Sequence, residues 1–172
     1  MNVLRSVMER NDLKQKLKDF GQWASANAAK YFSLFDYLSA TGKGSKLPID
    51  AWVAFSEVFL PEFIEVNGCV LVEECFNEKS QDYQRYVKEG LSKREIETWI
   101  NNICLDGLFY DLPGETDQIS SFLGEKIKLG WELKLKRDFP ERKFQVVLQK
   151  DDDVSDLLIT FYEDVGPNKS QS

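Results

Sequence analysis

The sequence predicts an α+β fold in which about five helices pack on an antiparallel sheet made of two hairpins. Apolar residues recur every three or four positions in several stretches, which is typical of amphipathic helices. Two separated pairs of short runs rich in branched and aromatic residues indicate the hairpins. With 172 residues and 42% hydrophobic content, the chain can form one full-sized core. We therefore expect a single domain over residues 1–165 and a disordered tail over 166–172.

The clearest local signal is Asn67-Gly68, which joins two apolar runs. Both residue types tolerate a positive φ at the central positions of a two-residue turn, so the pair predicts a β-hairpin. Side chains alternate along each strand, and the turn therefore sets Val66 opposite Cys69 and Phe63 opposite Val72. Because apolar residues occupy both faces, we expect this hairpin to lie in the interior.

The same register sets Glu62 against Glu73 at the open end of the hairpin, with Glu74 on the other face. Like charges directly opposed across a sheet destabilise it, so the pair is expected to be splayed into water, bridged by lysine or arginine, or functional. Glu57, on the preceding helix, could add a further oxygen. These four glutamates are the candidate binding residues, and a solvent-facing sheet edge is the competing interpretation. No catalytic or metal-binding residue is assigned.

Helical patterns occupy most of the first two thirds of the chain. A long amphipathic stripe runs from Asn11 or Asp12 to about Leu38, and a glycine-rich connection separates it from a second helix over residues 48–60. A third pattern covers 77–89, with Gly90 as its stop. Ser92-Lys-Arg-Glu95 forms a capping box, which predicts a further helix running through Cys104.

Residues 120–138 fit both periodicities, because the segment alternates like a strand and also repeats every four residues. Leucine, lysine and glutamate dominate its composition, and we therefore predict a helix that ends before Phe139-Pro140. A strand here would produce a three-stranded meander. Phe144–Gln149 and Leu157–Tyr162 are predicted strands joined by an acidic loop. Together with the first hairpin they could form one four-stranded antiparallel sheet.

The chain contains no histidine, which excludes Ser-His-Asp and Cys-His catalysis and histidine-based zinc sites. An enzyme made from this chain alone would need carboxylates, lysine, tyrosine, cysteine or an oxygen-bound metal. Its three cysteines lack C-x-x-C spacing, so neither a disulfide framework nor a cysteine zinc site is indicated. We expect reduced, buried thiols and no cofactor.

The net charge of −7 is concentrated in the middle of the chain, where residues 51–118 carry 5 Lys and Arg against 14 Asp and Glu. Such a segment repels phosphate backbones, so nucleic-acid binding is not expected, whereas a basic protein partner is. A run of basic side chains follows, which fits a helix face against an acidic neighbour or, alternatively, an anion site; its members are Lys126, Lys128, Lys134, Lys136, Arg137, Arg142 and Lys143. Neither a secretory signal nor a membrane span is apparent, and we expect a cytoplasmic protein with no membrane association.

The ending Trp131-x-x-Lys-Leu-Lys-Arg-Asp-Phe139-Pro140, followed by Phe144-Gln-Val-Val-Leu and Ile159-Thr-Phe-Tyr162, resembles the tail of small uncharacterised bacterial proteins. The resemblance covers about the last fifth of the chain. It implies no activity and assigns no role to any residue.

The sequence therefore predicts a non-enzymatic, acidic binding protein, such as an adaptor or a toxin-neutralising protein, whose acidic middle engages a basic partner. The alternative is a carboxylate-based hydrolase, with or without a divalent metal, centred on Glu62, Glu73 and Glu74. A third hypothesis is a small-ligand pocket between the sheet and the aromatic helices.

Overall fold

The computed structural model describes residues 17–26, 37–38, 49–109, 117–150 and 156–165. Within them, seven helices and two antiparallel sheets confirm the α+β class. The helices are α1 (Lys18–Ala26), α2 (Ile49–Phe59), α3 (Glu73–Glu78), α4 (Ser80–Glu89), α5 (Lys93–Ile100), α6 (Asp106–Phe109) and α7 (Asp117–Asp138). The strands are β1 (Phe63–Val66), β2 (Cys69–Val72), β3 (Ile103–Cys104), β4 (Phe144–Lys150) and β5 (Leu157–Glu163).

Several predicted segments fall partly or wholly outside the described residues. They are the remainder of the long amino-terminal helix, the glycine-rich connection, the acidic loop before β5 and the tail over 166–172. No helix in the described part of the chain is both long and apolar enough to cross a lipid bilayer.

The first hairpin forms as predicted between Phe63–Val66 and Cys69–Val72. Val66 lies opposite Cys69 and Phe63 lies opposite Val72. Asn67 has a φ of 50° and Gly68 a φ of 82°, so the turn uses the left-handed region at both positions. All four residues of β2 are buried, which confirms that this strand lies in the interior.

Helix boundaries follow local signals where these are strong. Gly90 has a φ of 77° and ends α4, while Ser92 and Glu95 form the predicted capping box of α5. The segment over 120–138 is helical, as α7. Two predicted bounds are wrong. The helix predicted over 77–89 is two helices that meet at Lys79, and α5 ends at Ile100 because Ile103–Cys104 pair with β5.

The two hairpins lie in separate sheets, so the predicted four-stranded sheet is wrong. β1 and β2 form one sheet, and the other has the strand order β3-β5-β4. The side chain of Asn101, the residue that follows α5, satisfies main-chain groups at the edges of both sheets, where direct strand pairing was expected. Val72 N–H donates to Asn101 Oδ1 (2.9 Å), and Asn101 Nδ2 donates to the carbonyls of Val70 (3.1 Å) and Phe161 (3.3 Å).

The core lies between α7 and the two sheets. The fully buried ring of Trp131 on α7 packs edge-on against Phe161 of β5, with ring centroids 5.8 Å apart. Phe63 of β1 contacts both rings, at 6.3 and 5.2 Å. The indole N–H of Trp131 also donates to the carbonyl of Val58 (2.9 Å), which holds the end of α2 against α7.

Candidate functional site

The predicted glutamate pair lies just beyond the open end of the hairpin, where a main-chain hydrogen bond joins the two residues. Glu73 N–H donates to the carbonyl of Glu62 at 2.9 Å. However, β1 begins at Phe63 and β2 ends at Val72, and both Glu73 and Glu74 lie in the first turn of α3. The hydrogen bond continues the predicted register by one pair, but the prediction that the strand extends through Glu73 and Glu74 is wrong.

The start of α3 explains why two acidic residues follow β2 directly. The residue that precedes the helix, Val72, has no side chain that can accept from the first N–H groups. Carboxylates in the first turn interact favourably with the positive end of the helix dipole. Glu73 and Glu74 therefore stabilise the helix start while both side chains stay exposed to solvent.

Glu62 is bridged by a lysine, which is one of the outcomes expected from the sequence. Lys134 Nζ lies 3.2 Å from Glu62 Oε1 and 3.0 Å from Asp138 Oδ2. The Lys134 side chain is only 5% exposed, so its ammonium needs these carboxylates to offset the loss of hydration. Glu65 is bridged as well, by Arg142 Nη1 at 3.2 Å. Part of the basic run thus faces an acidic neighbour, as predicted.

All four candidate glutamates are exposed, and Glu62 differs from the others in its bond to Lys134. We call the other three, Glu57, Glu73 and Glu74, the acidic surface. Within the residues that the structure describes, no lysine or arginine lies within 4.0 Å of any of the three. The described residues also contain no group of three or more cysteine, aspartate or glutamate side chains that could hold a metal ion. What the acidic surface offers is negative charge that the described chain does not neutralise.

Exposed apolar side chains lie on the helix that carries Glu57 and on the helix against which it packs. α2 has no buried residue, and α7 touches it where Gly130 meets the carbonyl of Phe59. We call the exposed apolar side chains of this region the apolar surface; they are Ile49, Trp52, Val53, Leu60, Leu129 and Leu133. Leu133 is 60% exposed and Val53 is 57% exposed. Exposed apolar side chains grouped on packed helices are a feature of interaction sites.

Sequence reasoning missed a cluster of charged side chains between the two sheets, formed by Lys93, Glu97, Arg142 and Glu163. Glu97 is fully buried, and each of its oxygens accepts a main-chain N–H, from Val70 at 2.9 Å and from Glu163 at 2.7 Å. Arg142 Nη2 binds Glu163 Oε2 at 2.7 Å, and Lys93 pairs with the same oxygen. We call these four residues, of which only Glu97 is fully buried, the charge cluster.

The two carboxyls of this cluster are shifted in opposite directions. Burial raises the pKa of Glu97, although the two main-chain N–H donors oppose the shift. Burial acts in the same direction on Glu163, but the bonds from Arg142 and Lys93 together outweigh it and lower the pKa of Glu163. Because both Glu97 oxygens are already occupied by main-chain donors, this carboxyl joins the two sheets and has no free oxygen with which to act on a substrate.

Because the two pKa values shift in opposite directions, we expect the two carboxyls to change the free energy of unfolding with pH in opposite directions. Glu163 stabilises the fold above its ordinary pKa of 4.5, and this contribution is lost as the pH falls through its lower, folded-state pKa. Glu97 favours folding most below pH 4.5, and that contribution is lost as the pH rises through its raised pKa. We expect Glu163→Gln to reduce the pH dependence of the free energy of unfolding below pH 4.5, and Glu97→Gln to reduce it above pH 4.5. Urea titrations on both sides of pH 4.5 measure this, and a wild-type acid slope in Glu163→Gln would contradict it.

The cysteines give no sign of a reactive thiol in the described structure. Cys69 and Cys75 are buried, and burial raises the pKa of the Cys69 thiol, with Glu97 adding to the effect. A raised pKa keeps the thiol protonated and disfavours nucleophilic chemistry. Cys104 is partly exposed, and its sulfur accepts the N–H of Gly107 at 3.4 Å.

Comparison with protein-family models, with curated proteins and with solved structures gave no match for this chain. Any indication of function therefore comes from the residues themselves.

Proposed function

We infer that this protein binds a basic protein partner through its acidic surface, as an adaptor or a toxin-neutralising protein would. The observation that supports this function is the contrast between two groups of carboxylates. Glu62 and Glu65 are neutralised by Lys134 and Arg142, whereas the acidic surface has no cation within reach among the described residues. Unneutralised surface charge attracts an oppositely charged partner and speeds the encounter.

The apolar surface supports a protein as the partner. Protein interfaces combine an apolar, water-excluding centre with a polar rim, and tryptophan is enriched among the residues that contribute most to affinity. Trp52 is 39% exposed and lies on the helix that also carries Glu57. A partner segment with leucine-like side chains on one face and lysine or arginine beside them would match both surfaces.

A carboxylate-based hydrolase was the alternative predicted from the sequence. No observation on Glu62, Glu73 or Glu74 favours it, since Glu62 binds Lys134 and the other two lie at a helix start. The contacts of these residues therefore favour the binding function.

Neutralising the acidic surface is expected to weaken binding to a basic amphipathic peptide. The probe is a synthetic helical peptide with leucines on one face and lysines on the other, and its counterpart carries glutamates in place of the lysines. Replacing Glu57, Glu73 and Glu74 with glutamine should lower the affinity for the lysine peptide by on the order of 10-fold at low salt, because electrostatic attraction is lost. Fluorescence anisotropy at two salt concentrations measures the effect.

The matched control has the same change of net charge on other exposed glutamates, namely Glu89, Glu125 and Glu141 replaced by glutamine. It should retain wild-type affinity. Equal losses in both triple variants would mean that only net charge matters, and wild-type protein that binds both peptides equally would contradict the proposed function.

A further inference from the structure

β4 forms one side of the three-stranded sheet, with no strand beyond it in the described structure. Asp164 N–H donates to the carbonyl of Lys143 at 2.8 Å, so these two residues form a hydrogen-bonded pair of the ladder between β4 and β5. Bonded and non-bonded pairs alternate in an antiparallel ladder, so the odd-numbered residues of β4 direct their main-chain groups to β5. The even-numbered residues, from Phe144 to Lys150, direct theirs outward. Among the described residues, no hydrogen-bond partner is found for these outward groups.

As far as the described residues show, this edge largely lacks the shortness, charges and proline that usually protect a strand. Natural edge strands are kept short or carry charges or proline, which discourages pairing with another chain. β1 also has an outer edge, but it has four residues, follows Pro61 and carries the charged Glu65. β4 has seven residues, with no proline and one charge, Lys150 at its end.

The sequence of β4 is close to a palindrome about Val147, reading Gln-Val-Val-Leu-Gln from 145 to 149. A two-fold axis at Val147 would set Gln145 against Gln149 of the partner subunit and Val146 against Leu148 of the partner subunit. In this register each even-numbered residue of one β4 strand lies opposite an even-numbered residue of the other. The outward main-chain N–H and C=O groups of the two strands can therefore pair with each other. Lys150, whose ammonium pairs with Asp117 of its own chain at 3.3 Å, would face Phe144 of the partner subunit, so like charges do not oppose each other.

We propose that the outer edge of β4 binds a second copy of this chain, so that two three-stranded sheets join into one continuous antiparallel sheet about a two-fold axis at Val147. The interface is isologous, because the same strand contributes both sides. One strand pair buries less area than standard protein interfaces do, and the dimer is therefore weak, with a dissociation constant in the micromolar range or above. This assembly is independent of the acidic surface.

Single cysteines test the register in a Cys104→Ser background, which leaves only the two buried native cysteines. Val147→Cys places the two thiols across the axis in a non-bonded pair, where the Cα atoms of antiparallel strands are about 4.5 Å apart and a disulfide can form. We expect mild oxidation to cross-link it. Gln145→Cys alone should stay monomeric on a non-reducing gel, whereas Gln145→Cys combined with Gln149→Cys should cross-link. A cross-link in Gln145→Cys alone, or none in Val147→Cys, would overturn the two-fold axis.

Sedimentation of the unmodified protein from micromolar to submillimolar concentration provides the second measurement. Wild type should show a concentration-dependent dimer, and Val147→Lys should abolish it because two lysines then meet at the axis. Gln149→Lys adds the same charge opposite a neutral residue and should still dimerise. A wild-type monomer throughout this range would refute the proposal and would leave the edge to a strand of a different protein.

Discussion

Replacing Glu97 with alanine is expected to lower the free energy of unfolding by about 3–5 kcal/mol, which is the usual cost of removing one partner from a buried charged network. Glu97 is fully buried, and its two oxygens accept the N–H groups of Val70 in β2 and Glu163 in β5. Without the carboxylate, both donors lose their partners away from water. Chemical denaturation in urea, followed by circular dichroism, measures the loss.

Two further variants separate this effect from a general intolerance of substitution. Glu97→Gln keeps one oxygen acceptor and should lose less stability than Glu97→Ala. Glu89→Ala removes an exposed glutamate at the end of α4 and should change the free energy of unfolding by no more than about 0.5 kcal/mol. A loss below about 1 kcal/mol in Glu97→Ala would show that the two sheets hold together without this carboxylate.

The parts of the fold that the sequence predicted correctly depend on residues close together in the chain. Asn67-Gly68 determines its turn through the φ angles of two residues, and Ser92 and Glu95 cap a helix across three positions. The ambiguous segment that became α7 was assigned correctly from its composition, although Trp131 and Leu135 also fit an alternating pattern. Such local patterns can be interpreted without knowing which residues pack against the helix or strand.

Glu97 illustrates why the joining of the two sheets could not be predicted. It lies next to Ile96 on a helix with an apolar stripe, where a glutamate ordinarily faces solvent. Its partners are main-chain N–H groups 27 and 66 residues away. Since almost every residue carries such a group, the residue types do not reveal which ones act as donors. The one available hint is the spacing of Glu97 and Asn101, which places two polar side chains on the same helix face beside the buried stripe.

The candidate site was predicted in part. The exposure of Glu73 and Glu74 agrees with the solvent-facing end of a hairpin, but the period-two pattern predicts a strand that continues through Glu74, two residues beyond the end of β2. Two successive acidic residues after an apolar run are also typical of the first turn of a helix, and Glu73 and Glu74 form such a turn and do not continue the strand. The neutralisation of Glu62 by Lys134 depends on packing between residues 72 positions apart. The sequence could therefore offer bridging only as one of several outcomes.

Replacing Gly130 with alanine is expected to destabilise the protein by about 2–4 kcal/mol, despite the better helix propensity of alanine. Its Cβ would lie less than 3.0 Å from the carbonyl oxygen of Phe59, and main chain cannot rotate away as a side chain can. To relieve the overlap, α2 would have to move from α7. That movement would lengthen the bond from the Trp131 indole to the carbonyl of Val58, now 2.9 Å, and would open the core beside it.

The same substitution at two other helical glycines provides a comparison. Each Gly→Ala change gains about 1 kcal/mol from helix propensity, so differences among the three variants reflect the contacts of the added Cβ. At Gly21 no atom of the described residues lies within 4 Å of an added Cβ, so Gly21→Ala should be neutral or stabilising. At Gly124 the added Cβ would meet side-chain methyls of Leu148 and Leu157 at 3.1 Å, which can shift, and the cost should be intermediate. Urea midpoints should therefore fall in the order Gly21→Ala, Gly124→Ala, Gly130→Ala. If Gly130→Ala were as stable as Gly21→Ala, close contact between the two helices could not be what requires glycine there.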